Sequence, residues 1–298
     1  MTIPDPLEPA QSAAAGTLGL RVWRAGQGGW VAADDRVAVE APLEIQLHHP
    51  ALGGEPASFG TTMRTPGDDE ALAAGLLYGE GIIQHASDID AIESGTRRPN
   101  VVNVRLRPGV MIEVTPARRF SAGSSCGVCG TTGLDAAIAR AAATRILGTA
   151  QAQLPVLLRL PARMREAQTR FGTTGGIHAV ALFDLSGSLL AIAEDVGRHN
   201  AFDKLVGERL LAGELPLANR IVLLSGRASF ELVQKALRAG VALLAAIGAP
   251  SSLAVNLAAA AGLTLVGFLR DAHCNVYAHP ERLGGFSSSA SGSGCGGS

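Results

Sequence analysis

The chain has 298 residues, 47% of them hydrophobic, which suffices for one large or two modest buried cores. Its 25 basic and 26 acidic residues leave a net charge of −1 without any basic run, which argues against a nucleic-acid-binding surface. Four cysteines in such a length are no disulfide framework, so a soluble protein of a reducing compartment is expected.

Residues 1–17 are rich in Pro, Ala and Gly without periodicity and are expected to be disordered. The opening Met1-Thr2-Ile3-Pro4-Asp5-Pro6 carries neither a basic region nor an apolar run, so a cytoplasmic location is expected. Residues 18–116 read as a small α+β domain. Val37 to Leu47 is extended, Pro66-Gly67-Asp68-Asp69 opens a helix that runs through Tyr78, and Val101–Leu106 pairs with Val110–Val114 around Arg107-Pro108-Gly109.

Residues 117–283 read as an α/β domain. Helices are predicted over Thr132–Leu147 and Pro161–Thr169, then strands Ile177–Phe183 and Ser188–Glu194 about the turn Asp184-Leu185-Ser186-Gly187. Helix His199–Leu211, strand Arg220–Leu224 and helix Ser229–Ala239 follow. Val241 to Leu269 is uncharged and long enough to cross a bilayer, but its punctuation is that of a soluble β-α-β unit. A strand over Val241–Ile247 meets a turn with a serine N-cap, a helix over Leu253–Ala261 stops at Gly262, and Leu263–Phe268 is a second strand. This alternation predicts a mixed sheet with helices on both faces. Residues 284–298 form a flexible Gly/Ser tail in which Cys295 is incidental.

Sulfur chemistry is signalled by Cys126-Gly127-Val128-Cys129, bracketed by serine and glycine ahead of the predicted Thr132 helix. A C-x-x-C pair near a helix start lowers one thiol's pKa, and the thiolate is the species that attacks disulfides, carries sulfur or binds metal. Structural zinc needs four ligands and catalytic zinc three. Only Cys274 and Cys295 remain, and the one H-x-E, His279-Pro280-Glu281, lies far downstream, so no metal is expected.

Polar clusters recur where strands end, which is where open α/β sheets bind ligands. They are Gly175-Gly176-Ile177-His178, the run Glu194 to Lys204, and Ser225-Gly226-Arg227. In the run, Arg198 and His199 open a helix suited to phosphate, or else Asn200 and Asp203 are the cap and dipole partners of a solvated helix start.

These motifs, in this order, together with Glu40-Ala41-Pro42-Leu43, Met63-Arg64-Thr65-Pro66-Gly67-Asp68, Glu80-Gly81-Ile82-Ile83 and Ala249-Pro250-Ser251-Ser252-Leu253, resemble the FdhD family over about residues 40–283. The resemblance implies a cytidine-deaminase-like core and a sulfurtransferase acting in formate dehydrogenase maturation. It implies a persulfide on Cys126, assisted by Cys129, with a cysteine desulfurase as donor and the molybdenum bis(molybdopterin guanine dinucleotide) cofactor as bound acceptor. Formate dehydrogenase is the implied recipient and a homodimer the implied assembly. The family's cofactor-contacting segment falls on Phe268, Leu269, Arg270, Asp271, Ala272 and His273, and Arg198, Arg227 and Arg270 are candidates to meet the cofactor's pyrophosphates. Two other readings remain: a cofactor-binding chaperone that does not use the thiols, and a dithiol oxidoreductase cycling Cys126 and Cys129.

Overall fold

A computed structural model describes residues 16–53, 55–95, 98–112 and 150–287. The described strands are β1 (Thr17–Gly26), β2 (Gly29–Ala38), β3 (Ala41–His48), β4 (Ala57–Arg64), β5 (Ile89–Ser94), β6 (Val101–Leu106), β7 (Ala152–Gln153), β8 (His178–Asp184), β9 (Leu189–Asp195), β10 (Arg220–Leu224), β11 (Leu243–Ala246), β12 (Thr264–Gly267), β13 (Asn275–Ala278) and β14 (Leu283–Gly284). The described helices are α1 (Asp69–Gly79), α2 (Leu154–Ala167), α3 (Thr169–Thr174), α4 (Arg198–Leu211), α5 (Phe230–Arg238) and α6 (Ser252–Ala261). They fall into two compact units. The first holds the described part of Met1–Cys129 with Met164–Ala181 and Ala191–Leu215, and the second that of Gly130–Arg163, Leu182–Leu190 and Pro216–Ser298. The boundary expected between residues 116 and 117 lies outside the described residues, as does the predicted helix Thr132–Leu147.

In the first unit a four-stranded sheet has the order β4-β3-β6-β5, with β3 and β6 parallel and the other pairs antiparallel. Strict alternation puts Leu43, Ile45 and Leu47 of β3 and Val102, Val104 and Leu106 of β6 inside. Helix α1 packs on β5 and β6 and buries Leu72, Ala73 and Leu77. β1 and β2 form a separate antiparallel ribbon registered from Thr17↔Ala38 to Gly26↔Gly29, so Thr17, placed by the sequence in the disordered segment, is paired in β1, while residues 1–15 lie outside the described residues. Short α3 packs against β2. After β6, Val110 N–H bonds the Arg107 carbonyl at 3.0 Å and closes the predicted turn, but residues 110–112 do not form its second strand.

The most extensive helix contact joins α1 to α4, and two glycines permit it. A Cβ on Gly75 would collide with the Asp203 carbonyl, and one on Gly207 with the Ala71 carbonyl. On an exposed helix Gly→Ala stabilises by up to about 1 kcal/mol. Here Gly207→Ala must push two backbones apart and is expected to destabilise by about 3 kcal/mol, read from the urea midpoint.

In the second unit β10, β11 and β12 are parallel and adjacent in sequence order, and β13 adds an antiparallel edge. The strand order continues as β13-β12-β11-β10-β8-β9. Helices α5 and α6, which connect these successive parallel strands, pack together, as crossovers of one hand require. The punctuation read from the sequence is present. Ser229 and Ser251 accept from Leu232 N and Ala254 N at the starts of α5 and α6, and Gly262, at φ 77°, ends α6 in the left-handed conformation. The Asp184 carboxylate accepts from Ser186 N at 2.9 Å and Ser188 N at 2.8 Å, fixing the β8–β9 turn. The stretch Val241–Leu269 is the expected β-α-β unit, and no described helix is long and apolar enough to cross a membrane.

Two readings differ. Helix α2 begins at Leu154 and carries Pro161 in its interior. Its buried Leu157, Leu160 and Met164 set the helical face, and that burial outweighs the one N–H that Pro161 removes. Strand β13 (Asn275–Ala278) has no counterpart in the sequence reading, which ends its last strand at Phe268; it is defined by antiparallel pairing with β12.

Candidate functional site

The run from Glu194 to Lys204 turns inward. Asp195 and Lys204 are 0% and 1% exposed and form an ion pair of 2.8 Å. Lys204 Nζ also donates to the Thr65 carbonyl at 2.8 Å, and Thr65 N–H donates to Asp195 Oδ2 at 3.1 Å. Asp195 Oδ1 accepts from Gly197 N and Asn200 Nδ2, while Asn200 Nδ2 reaches the Met63 carbonyl at 2.7 Å. Thr62 Oγ1 donates to Asn200 Oδ1, and Thr65 Oγ1 accepts from Val196 N. Glu194 is equally committed, accepting from Arg170 N and Phe171 N at 2.9 Å each to cap α3. Asn200 and Asp203 are therefore buried, not the solvated caps of a helix start; the N-cap of α4 is Gly197, which offers no side-chain bond. What the sequence shows as two motifs 130 residues apart is one polar node that seats α4 on the β4–α1 connection.

Within the first unit, His178 at the start of β8 and Asp195 at the end of β9 lie at the same end of the hairpin, and Arg198 opens α4 three residues on. Burial foremost, then the Arg198 guanidinium, hold the His178 pKa below its ordinary 6.5 against the opposing pull of Asp195. The folded state thus favours neutral His178, whereas the unfolded chain takes up a proton near pH 6.5, so stability falls as pH drops through that value. The melting temperature of the native chain is expected to decline more steeply below pH 6.5 than that of His178→Gln.

In the second unit the carboxyl ends of β10, β11 and β12 bring three loops together. Gly248 N–H bonds the Gly226 carbonyl at 2.9 Å, Ser251 N–H bonds the Ala228 carbonyl at 3.0 Å, and Phe268 N–H bonds the Gly248 carbonyl at 3.1 Å. A Cβ on Gly248 would lie 2.9 Å from the Gly226 carbonyl oxygen and 3.0 Å from Arg227 N, so only glycine allows this approach. The predicted segment Phe268–His273 leaves this edge. Phe268 stands at φ 51° and is 40% exposed, Leu269 is fully buried as the anchor, and Arg270 N–H closes the loop on the His273 carbonyl at 2.9 Å. Arg270 Nη1 donates to the Ile247 and Leu269 carbonyls at 2.6 and 2.9 Å. Arg227, Asp271, Ala272 and His273 are exposed. The surface thus offers an aromatic ring, two guanidinium groups and the N-terminal ends of α5 and α6, a set suited to a base and to phosphate oxygens.

Cys126 and Cys129 lie outside the described residues. Cys274 is half-buried, and burial pushes its thiol pKa up, away from the reactive thiolate. His279 of the H-x-E spends both ring nitrogens within the protein, on Glu281 at 2.8 Å and the Ala259 carbonyl at 2.9 Å. Among the described residues no three His, Cys, Asp or Glu side chains gather as a metal site.

The FdhD/NarQ family matches residues 38–284, which span both units. The chain belongs to that family. A sulfur carrier protein FdhD of Streptomyces avermitilis is 50% identical over 84% of this chain and 89% of its own length. One from Mycobacterium tuberculosis is 44% identical over 84% and 92%. A crystal structure from Desulfotalea psychrophila, of a protein provisionally named a formate dehydrogenase accessory protein, superposes with a TM-score of 0.70 at 26% identity over 90% of this chain and 99% of that one. The FdhD/NarQ match takes in every motif from Ala41 to Leu283, including the polar node and the carboxyl-end loops. Sequence reasoning missed His178 as the neighbour of Arg198. The signal was there, because a hairpin with its turn at Asp184–Gly187 must return Asp195 to the level of His178.

Proposed function

We propose that the chain is a sulfur carrier in formate dehydrogenase maturation. The Cys126 thiolate attacks the terminal sulfur of a cysteine desulfurase persulfide, taking that sulfur and releasing the donor thiol. Cys129 relays or assists, and the terminal sulfur passes to the molybdenum bis(molybdopterin guanine dinucleotide) cofactor as its S–S bond breaks, the acceptor supplying the electron pair that takes the sulfur and Cys126 leaving as its thiolate. In this reading the exposed Phe268 ring takes a guanine base, and Arg227 and Arg270 meet phosphate oxygens, while buried Leu269 fixes the loop that carries them. The core is of the cytidine-deaminase-like kind, working in the cytoplasm as a homodimer. The observation that carries the proposal is the family match over residues 38–284, with relatives named as sulfur carriers at 50% and 44% identity.

The test is the intact mass of the chain after incubation with a cysteine desulfurase and cysteine. A reducible one-sulfur adduct on the native chain that is absent from Cys126→Ala supports the carrier. No adduct on the native chain, with formate dehydrogenase still matured, leaves a cofactor-binding chaperone and sinks the proposal.

A further inference from the structure

Arg198 forms no hydrogen bond or ion pair among the described residues, although its Nε is shielded from solvent. Arg198 is half-buried, with Nε the atom closed off from solvent, whereas Arg64, in the same unit, is 2% exposed. Arg64 spends its N–H groups on both oxygens of Asp69, on Asn100 Oδ1 and on the Ala41 carbonyl. The carboxylates nearest Arg198 in sequence are taken: Asp195 by Lys204, Thr65, Gly197 and Asn200, and Glu194 by the first turn of α3. His178, at the same end of the β8–β9 hairpin, is half-buried and its ring likewise bonds nothing among the described residues. An uncompensated cation beside a neutral imidazole with an N–H to donate is a site short of one anion.

We propose that Arg198 and His178 form an anion subsite that takes a phosphate group of the cofactor's pyrophosphate. The inference rests on the proposed function for the identity of the ligand, and on the orphaned guanidinium for the site. Arg198 supplies the charge and a planar fork for two phosphate oxygens, and His178 donates its N–H to one of them. The subsite is built wholly within the first unit and owes nothing to Arg227 or Arg270.

The experiment is calorimetric titration of the full chain and of its Arg198→Gln, Arg198→Lys and His178→Gln variants with inorganic pyrophosphate and, separately, orthophosphate. The native chain is expected to bind pyrophosphate more tightly than orthophosphate. Arg198→Gln is expected to weaken it at least about tenfold and His178→Gln severalfold, with Arg198→Lys in between. Melting temperatures should stay within a degree or so of the native chain, because Arg198 has no partner to lose among the described residues. Undiminished binding by Arg198→Gln, no pyrophosphate binding by the native chain, or orthophosphate bound equally tightly overturns the proposal. Sulfur loading measured on the same variants separates the two readings. Loading with Arg198-independent binding ends the subsite and leaves the carrier, while Arg198-dependent binding without loading does the reverse.

Discussion

Cys126→Ala, supplied as the sole copy, is expected to bring formate dehydrogenase activity to background, while Cys129→Ala retains part of it. The asymmetry follows from covalent catalysis. A carrier without its nucleophile has no group to hold the sulfur between donor and acceptor, so the route is removed rather than slowed. A relaying or assisting thiol contributes to rate and can be bypassed in part. Cys274 is not expected to substitute: burial raises its pKa, leaving little thiolate at neutral pH. The check is formate dehydrogenase activity in cells lacking their own carrier, with immunoblots to equalise protein. Activity of Cys126→Ala equal to that of the native chain would show that sulfur is not carried on this residue.

The second large effect is on stability. Lys204→Met is expected to destabilise the chain by about 3–5 kcal/mol, because it leaves the Asp195 carboxylate buried without its cation. Asp195 is 0% exposed and ties together Thr65, Gly197 and Asn200, so it cannot turn to water without opening the seat of α4. Asp195→Asn strands the ammonium in the same way. The double variant Lys204→Met with Asp195→Asn removes both charges and is expected to be more stable than the sum of the single losses predicts. Urea unfolding of the three variants gives the coupling, and additive losses would show that the two groups do not act as a pair.

The two outcomes separate roles that the sequence mixes. The run Glu194 to Lys204 has the densest titratable chemistry in the chain, yet Glu194, Asp195, Asn200, Asp203 and Lys204 are buried, and the hydrogen bonds of Glu194, Asp195, Asn200 and Lys204 hold elements together. Among the described residues, Arg198 is the charged group of this run left without a hydrogen bond or ion pair, while His199 has a partner of its own.

The sequence by itself determined what local physics decides. Ser229, Ser251 and Gly262 mark helix ends because caps act within one turn, and Asp184 to Gly187 marks a hairpin because its bonds span four residues. Strand Arg220–Leu224 was legible as an apolar run between turn signals, and the ordered motifs were legible as those of one family. Tertiary structure alone decided the facing of the polar run, since its partners Thr62, Met63 and Thr65 lie more than 100 residues away. It also decided the glycine contact of α1 with α4, the existence of β13 and the left-handed turn at Phe268. Each of these is fixed by what packs against it, and burial of a charge or a Cβ is a property of the neighbours that the chain brings, not of the residue that carries it.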